Sequence, residues 1–488
     1  MSRWVSLVAL LVAGRAIAEP RRATVEVAPQ VAAPLASISH VIVLDRCTGG
    51  CRVTKTMQGN AQQMQSTIPQ GAGPFMLDEF QNVNGQPGAA ADAEWANLVK
   101  CVREVYSPFD VVVTETRPAE STYHLALVAG LPGQVGLGAD ILGIAPLTSD
   151  CSAVDNAISF SFSNAHLGND RISNLCWTVA QESAHAFGLD HEFMFVDGGS
   201  TCIDPMTYQN QCGGQRFFRD KTATCGEFTK RQCKCGQVQN SHKKLLSVFG
   251  AGETSIAPPT STITFPQAGG AFPAVVAATA GSQRGVFKVQ LRLNGAPWNA
   301  VAGTAFGVNG QANPSTYMVS VPSGVPDGVT DIVVRACDDL GACTDSQTVT
   351  VTKGAPCQTA ATCAAHQKCE AGRCFWDPPV GESGDSCEYA QFCKSNQCVD
   401  TSEGKLCSEA CTPEEDPATC PGDLVCAQTK PGEGLCLPAG GGGCCSATTS
   451  GGPLVSALLA GLVALCLGRR RTSFAGVRKL PGKRDESC

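Results

Sequence analysis

Charge is scarce in this chain of 488 residues. Only 16% of its residues are Asp, Glu, Lys or Arg, and they sum to a net −7. Phosphate backbones are gripped by clustered Lys and Arg, so this composition excludes a nucleic-acid binder. The one short basic run, Arg469-Arg470-Arg471, lies near the C-terminal end. Aromatic residues are also few, at 6%, while Gly (52) and Pro (29) are plentiful. That mixture disfavours helical bundles and suits modules of strands and loops. Against these shortages stand 28 cysteines. In a reducing cytosol so many thiols would all need metal or redox roles, whereas in an exported protein they read as disulfides. Hydrophobic residues reach 43%, enough for packed cores, and the length corresponds to about three domains.

Both ends carry address signals. Arg3, an apolar run over residues 5–14 and Ala16-Ile17-Ala18 before Glu19 have the form of a signal peptide, residues 1–18. Residues 19–39 are rich in Ala, Val and Pro and predict a mobile leader without cysteine. At the other end, residues 438–452 form a Gly-rich linker with the pair Cys444-Cys445. Residues 453–468 are almost wholly apolar and predict one transmembrane or sorting helix. The arginines that follow open a basic tail, residues 469–488, placed on the cytoplasmic side by the positive-inside rule. Gly-rich linker, Cys, apolar helix and Arg cluster together resemble the MYXO-CTERM tail of myxobacterial surface proteins. That resemblance implies processing at Cys444 or Cys445 and attachment at the cell surface or outer membrane. Here the tail continues past the arginines, and the Cys is doubled.

Between the ends, three compositions follow one another. Residues 40–250 mix apolar strand-like runs at 41–44, 111–113, 123–128 and 157–162 with helical spacing at 94–106 and 175–188, which predicts an α/β or α+β domain. Residues 256–353 alternate strictly: Phe287, Val289, Leu291 and Leu293 against Lys288, Gln290 and Arg292, then Ile332 with Val334 and Val349 with Val351. Punctuated by Asn294-Gly295 and Pro326-Asp327-Gly328, they predict an all-β sandwich. Val333, Arg335 and Ala336 with Asp338 and Asp339 resemble bacterial Ig-like modules, and Cys337 and Cys343 are placed to clip a hairpin. Residues 357–437 hold groups of four and eight cysteines with few apolar residues, so disulfides must hold them; no C-x2-C pair marks a zinc knuckle. They read as a stalk of small repeats.

Chemistry concentrates in Gln181-Glu182-Ser183-Ala184-His185-Ala186-Phe187-Gly188-Leu189-Asp190-His191. On a helix, positions 181, 182 and 185 share a face. Gly188 can turn the chain and bring His191 back beside His185. Two imidazoles and a carboxylate then converge, as a catalytic zinc site requires. The string resembles H-E-x-x-H-x-x-G-x-x-H of the metzincin metallopeptidases, and Asp204-Pro205-Met206-Thr207-Tyr208 resembles their Met-turn. The resemblance implies Glu182 as general base, His185 and His191 as zinc ligands, Met206 beneath the metal and Tyr208 at the metal or oxyanion. The first ligand position holds Gln181 instead of His. Three readings follow: Gln181 is a weak third ligand, His166 or His124 completes the site, or the domain is a catalytically silent binding or adhesion module. The leader has no Cys to cap a zinc, so an active enzyme needs another form of latency or none. A bridge between Cys176 and Cys202 would fix the two motifs to each other. The leading expectation is a surface-anchored zinc peptidase acting on proteins or peptides, with membrane contact through the C-terminal segment.

Overall fold

Val41–Asp45 (β2) begins a sheet in which neighbouring residues serve different cores: Ile42 and Leu44 face one side, Val43 the other. This is the period of a strand buried on both faces. The computed structural model describes residues 21–28, 38–303, 314–401, 404–413, 420–430 and 433–439. The expected signal peptide, the linker with Cys444 and Cys445, the apolar segment 453–468 and the basic tail lie outside the described residues. Among the described residues no helix is long and apolar enough to cross a membrane.

The molecule is rich in β structure, with several separate sheets and few helices. The first block has a six-stranded sheet built from Arg21–Val27 (β1), β2, Val112–Thr114 (β3), His124–Val128 (β4), Ile141–Thr148 (β5) and Ile158–Ser161 (β6), in the order β1-β5-β6-β4-β2-β3. The pairs β6–β4, β4–β2 and β2–β3 are parallel. The strand β5 runs antiparallel to β6, and β1 adds parallel to β5 at the edge. Helices Asp92–Tyr106 (α1) and Arg171–Ala186 (α2) pack on one face with Ser241–Phe249 (α3). α1 buries one stripe through Trp95, Leu98, Val99, Val102 and Val105. α2 is buried on every side from Leu175 to Ala186, as a central helix must be. A second small sheet, Glu192–Phe195 (β7), Thr222–Cys225 (β8) and Gln239–Asn240 (β9), follows α2.

Residues 19–39 are not simply a leader. Their part Arg21–Val27 is the edge strand β1, with Arg22 buried. Its Thr24, Val25 and Val27 suit a pleated surface, but the free edge of β5 that recruits them is made by residues more than a hundred positions away. The strand β5 itself was invisible in the pattern, because Gly143 and Pro146 interrupt it.

Eight strands make the next block: Thr260–Phe265 (β10), Val275–Gly281 (β11), Lys288–Leu293 (β12), Ala296–Ala302 (β13), Ser315–Ser320 (β14), Gly328–Cys337 (β15), Cys343–Asp345 (β16) and Val349–Lys353 (β17). β10-β11-β14 form one sheet and β13-β12-β15-β16 the other, with β17 on β15. Val276, Ala278, Val289, Leu291, Val319, Ile332 and Val334 fill one shared core, so the alternation read in the sequence points inward as expected. Phe287 departs from it and is half exposed.

Disulfides join Cys101 to Cys176 and Cys202 to Cys212. The expected Cys176–Cys202 bridge is therefore replaced. The packing of α1 against α2 sets the Cys101 and Cys176 Cα atoms 6.1 Å apart, within bonding range. Cys225 pairs with Cys233 and Cys151 with Cys235. Cys337–Cys343 clips its hairpin as expected. Beyond residue 357 the pairs are Cys357–Cys369 with Cys363–Cys374, Cys387–Cys398 with Cys393–Cys407, and Cys411–Cys426 with Cys420–Cys436. Each set interlaces first with third and second with fourth, so the eight-cysteine group is two repeats of the kind seen in the first.

The sandwich is locked to the first block rather than hanging from it. Arg219 Nη1 and Arg284 Nε hold Asp339 Oδ1 at 3.1 and 2.6 Å, all three side chains almost fully buried. Burial alone would raise Asp339, but the two guanidiniums outweigh it and hold the carboxyl at about 2. A depressed carboxyl contributes stability above its unfolded value and loses it as pH falls through the folded one. This joint should therefore weaken between about pH 4 and pH 2. Asp339→Ala strands two buried guanidiniums and should cost about 3–5 kcal/mol, read as a fall in Tm that acid no longer deepens at this site.

Candidate metal centre and its cover

The end of α2 decides the site. Leu189 N–H donates to Ala184 C=O (3.2 Å) and Gly188 N–H to His185 C=O (2.9 Å), the paired bonds of a Schellman stop. Gly188 sits at φ +88°, and a Cβ there would lie 2.1 Å from the Cys151 carbonyl oxygen. Only glycine fits on both counts. The reversal brings His191 back to His185, with ring centroids 4.5 Å apart and Nε2 to Nε2 3.0 Å.

Both tautomers are set by acceptors. His185 Nδ1 lies 2.7 Å from the Leu189 carbonyl oxygen, and His191 Nδ1 lies 2.9 Å from Glu227 Oε1. A carbonyl and a carboxylate only accept, so each Nδ1 carries the proton, which leaves each Nε2 free to face the other ring. Burial, and then the neighbouring His191, push His185 down to about 3, so that ring is uncharged. The bare Nε2 of His185 lies 3.0 Å from His191 Nε2 inside the protein. A single cation, a proton or a metal ion, can be shared between the two nitrogens. Imidazole nitrogens at roughly 2.0–2.1 Å from a tetrahedral metal sit about 3.3 Å apart, close to the spacing here.

Of the remaining motif residues, Gln181 and Glu182 lie on the same helix as His185, and Tyr208 packs on His191. Gln181 and Glu182 are fully buried, and among the described residues neither Gln181 amide atom nor either Glu182 oxygen has a hydrogen-bond partner. Such orphans are costly and call for a ligand. Burial raises Glu182 well above the usual carboxyl range, with the Arg22 charge pulling the other way. Gly143 of β5 backs directly onto Glu182: an added Cβ would lie 2.6 Å from its Oε1. The Tyr208 ring lies edge-on to His191 at 4.7 Å and to the half-exposed Phe228 at 5.3 Å. Burial, and then the Glu182 charge, raise the Tyr208 hydroxyl above its ordinary value, so it stays a donor. Met206 is buried in the core with Val179 and Ala180 of α2. Its loop is held by Trp177 Nε1 donating to Pro205 O (2.7 Å), Glu192 N donating to Met206 O (2.6 Å), and Asp204 Oδ1 accepting from Met206 N (2.8 Å).

His124 and His166 do not complete the centre. Neither brings a ring nitrogen within 4.8 Å of both His185 and His191. His124 Nε2 pairs with Ser159 Oγ at 2.9 Å, and its ring packs on Phe187. His166 lies in the fields of Arg22 and Arg171. Metal-like spacing also occurs among Cys357, Cys363 and Cys374, among Cys387, Cys393 and Cys398, and among Cys411, Cys420 and Cys436, but these sulfurs are spent in disulfides. Asp190, His191 and Glu227 cluster as well. There Arg231 is the resident cation, reaching Asp190 Oδ2 and Glu227 Oε1 at 2.6 Å each.

Several residues of the site had no signal in the motif. Glu227 and Arg231 orient His191 from 36 and 40 positions downstream. Arg22 comes from β1: its Nε donates to Thr178 Oγ1 at 2.8 Å, and its guanidinium carbon lies 3.3 Å from the Trp177 ring centre. Arg216 stacks on the same ring at 3.2 Å and so must take the opposite face, since two guanidiniums on one face would overlap. Desolvated cation–π contacts of this kind are worth about 2 kcal/mol each.

No family model and no curated protein matches this chain. Among solved structures, the fibronectin(III)-like modules of Clostridium thermocellum CbhA are 21% identical over 21% of this chain and 49% of their own, with a TM-score of 0.15. OgpA from Akkermansia muciniphila is 13% identical over 48% of this chain and 64% of its own, also with a TM-score of 0.15. The chain spans less than two thirds of either neighbour, and superpositions this loose carry no argument about fold or activity.

Gly188→Ala combines a positive φ with a backbone clash and should cost on the order of 3 kcal/mol or more. Thermal melting should show the loss. Glu227→Gln should leave the fold largely intact while weakening any metal held by His191 about 10–100-fold, as outer-shell partners do. Competitive titration against a metal-sensitive dye measures it.

Proposed function

We propose that this chain is a zinc-dependent peptidase of metzincin type, exported and held at the cell surface or outer membrane through its C-terminal segment. The observation that carries this reading is the convergence of His185 Nε2 and His191 Nε2, 3.0 Å apart in a buried site. Those two imidazoles would hold the ion, and the unpartnered Gln181 amide offers a neutral oxygen as the third donor. Zinc bound there supplies Lewis acidity toward water and a peptide carbonyl.

The chain's own groups account for the proton transfers. In its ionised form, which the Arg22 guanidinium favours, Glu182 accepts a proton from the attacking water as the water oxygen bonds to the carbonyl carbon. The same carboxyl returns that proton to the leaving amine as the carbon–nitrogen bond breaks. The Tyr208 hydroxyl donates toward the carbonyl oxygen as negative charge builds on it. Met206 supports α2 from below and takes no part in the chemistry. The substrate is an extended protein or peptide segment, the form that lets a carbonyl reach a site walled by a strand edge.

One observation favours a second reading, a catalytically silent binding or adhesion module. Gln181 occupies the place of an imidazole, and zinc binds an amide oxygen more weakly than a ring nitrogen. Elemental analysis of the full, oxidised chain separates the two readings. The peptidase reading expects one zinc per chain, loss of it in His185→Ala, and at least about tenfold tighter binding in Gln181→His. It also expects that Glu182→Ala keeps the metal and loses at least about a hundredfold in cleavage of unfolded protein. A parent chain that takes up no zinc, beside a Gln181→His variant that does, selects the binding module. Undiminished cleavage by Glu182→Ala overturns the mechanism.

A further inference from the structure

The loop that orients His191 is stapled twice, and one staple is open to solvent. Residues 226–234 present Glu227 Oε1 to His191 Nδ1 (2.9 Å), Arg231 Nη1 to Asp190 Oδ2 (2.6 Å) and the Lys234 N–H to the same Oδ2 (2.9 Å). Cys225–Cys233 closes this loop at its base. Cys151–Cys235 pins its far end to the turn that follows β5, across 84 residues of sequence. Cys151 also lies against the reversal at Gly188: its carbonyl oxygen stands 2.1 Å from where a Gly188 Cβ would be, and it accepts from Lys244 Nζ at 2.9 Å. Both bridges therefore hold backbone that positions His191. Their exposure differs. Cys151, Cys225 and Cys233 are buried, whereas Cys235 is exposed, alone among the ten paired cysteines of the first block. Cys235 sits in a tight turn, with Cys233 and Gly236 bridged across it. Cysteines two apart in such a turn stay within the roughly 4.4–6.8 Å between Cα atoms that a disulfide spans.

We propose that Cys151–Cys235 is a thiol-exchange site for a dithiol reductant, and that its opening passes to Cys225–Cys233 and frees the loop that orients His191. Exchange depends on access to the sulfur attacked, so the sequence starts at Cys235. A thiolate of the reductant bonds to Cys235 Sγ, the bond to Cys151 breaks, and Cys151 leaves with the electron pair and takes up a proton. The second thiol of the reductant attacks its first sulfur, which closes the reductant's own disulfide and releases the Cys235 thiolate. That thiolate bonds to Cys233 Sγ, the Cys225–Cys233 bond breaks, and Cys225 leaves with the electron pair and is protonated. One dithiol is oxidised, and its two protons end on Cys151 and Cys225. Two bridges have become one, Cys233–Cys235, which lies within the turn and ties the loop to nothing else. Glu227 and Arg231 then lack a covalent anchor on either side. Only the consequence for a bound metal rests on the peptidase reading; the exchange stands without it.

The test uses the full, oxidised chain without added metal, so a failure of zinc binding cannot be mistaken for a failure here. Dithiothreitol is added in steps, free thiols are trapped by alkylation, and the remaining bridges are mapped by peptide mass spectrometry. The first product should carry alkyl groups on Cys151 and Cys225, with Cys233 and Cys235 joined to each other. Cys47–Cys51, Cys101–Cys176 and Cys202–Cys212 should still be closed at that stage. Amide hydrogen exchange over residues 226–235 should then run at least about tenfold faster than in the oxidised chain, with α1 unchanged. The double variant Cys151→Ser/Cys235→Ser lacks the exposed sulfur, and its Cys225–Cys233 bridge should need at least about tenfold more reductant to open. Mapping of the parent chain decides if that variant does not fold. Opening of another first-block bridge before Cys151–Cys235 overturns the exchange site. A first product alkylated on Cys151 and Cys235, with Cys225–Cys233 still closed, overturns the transfer. Unchanged exchange over residues 226–235 in the product overturns the release of the loop.

Discussion

At Gly188 the chain folds back on its own helix, and the candidate centre exists because of that reversal. The residue stands at φ +88° with the Cys151 carbonyl where a Cβ would go. The turn places His191 against His185, and the Leu189 carbonyl that it exposes fixes the His185 tautomer. A single backbone conformation therefore sets the distance between the two rings and the protonation of one of them. The other ring depends on Glu227, which Arg231 anchors together with Asp190. Helix, turn and ion-pair network act together to direct the two Nε2 atoms at the same point.

Around that point the structure carries unresolved polarity. Gln181 and Glu182 are buried with unpartnered atoms, and the charge that meets Glu182 is Arg22 from the N-terminal edge strand. Burying a carboxyl this deeply raises its proton affinity, and a guanidinium nearby lowers it again. The strand β1 thus supplies the counter-charge to Glu182. The remainder of the molecule is built for rigidity. The Cys101–Cys176 bridge ties α1 to α2, and buried Asp339 couples the sandwich to Arg219, whose backbone N–H in turn holds Asp204 at the start of the Met206 loop.

The eleven-residue string from Gln181 to His191 was legible because helical spacing and one glycine suffice to predict convergence. The sandwich strands were legible from period-two alternation, and the cysteine-dense region from composition. Three features were not. Strand β1 reads as a low-complexity leader, since nothing local says that a free edge awaits it. Strand β5 is broken by Gly143 and Pro146, which weaken its pattern, while Gly143 allows the close approach of Glu182. Cysteine pairing follows Cα proximity, so Cys176 joined Cys101 across a helix interface rather than the expected Cys202.

What the sequence by itself determined is local: the helix that carries Gln181, Glu182 and His185, the glycine that must end it, and the alternation that builds the sandwich. These follow from backbone sterics and side-chain periods over fewer than about twenty residues. Only the tertiary structure decided which distant groups complete the centre. Glu227 and Arg231 orient one imidazole, Tyr208 lines its flank with Phe228 behind it, and Arg22 reaches Thr178 of α2 from the far end of the chain. Contacts between residues tens to more than a hundred positions apart leave no period to read, because they are set by how helices and sheet edges pack rather than by the chain's own repeat.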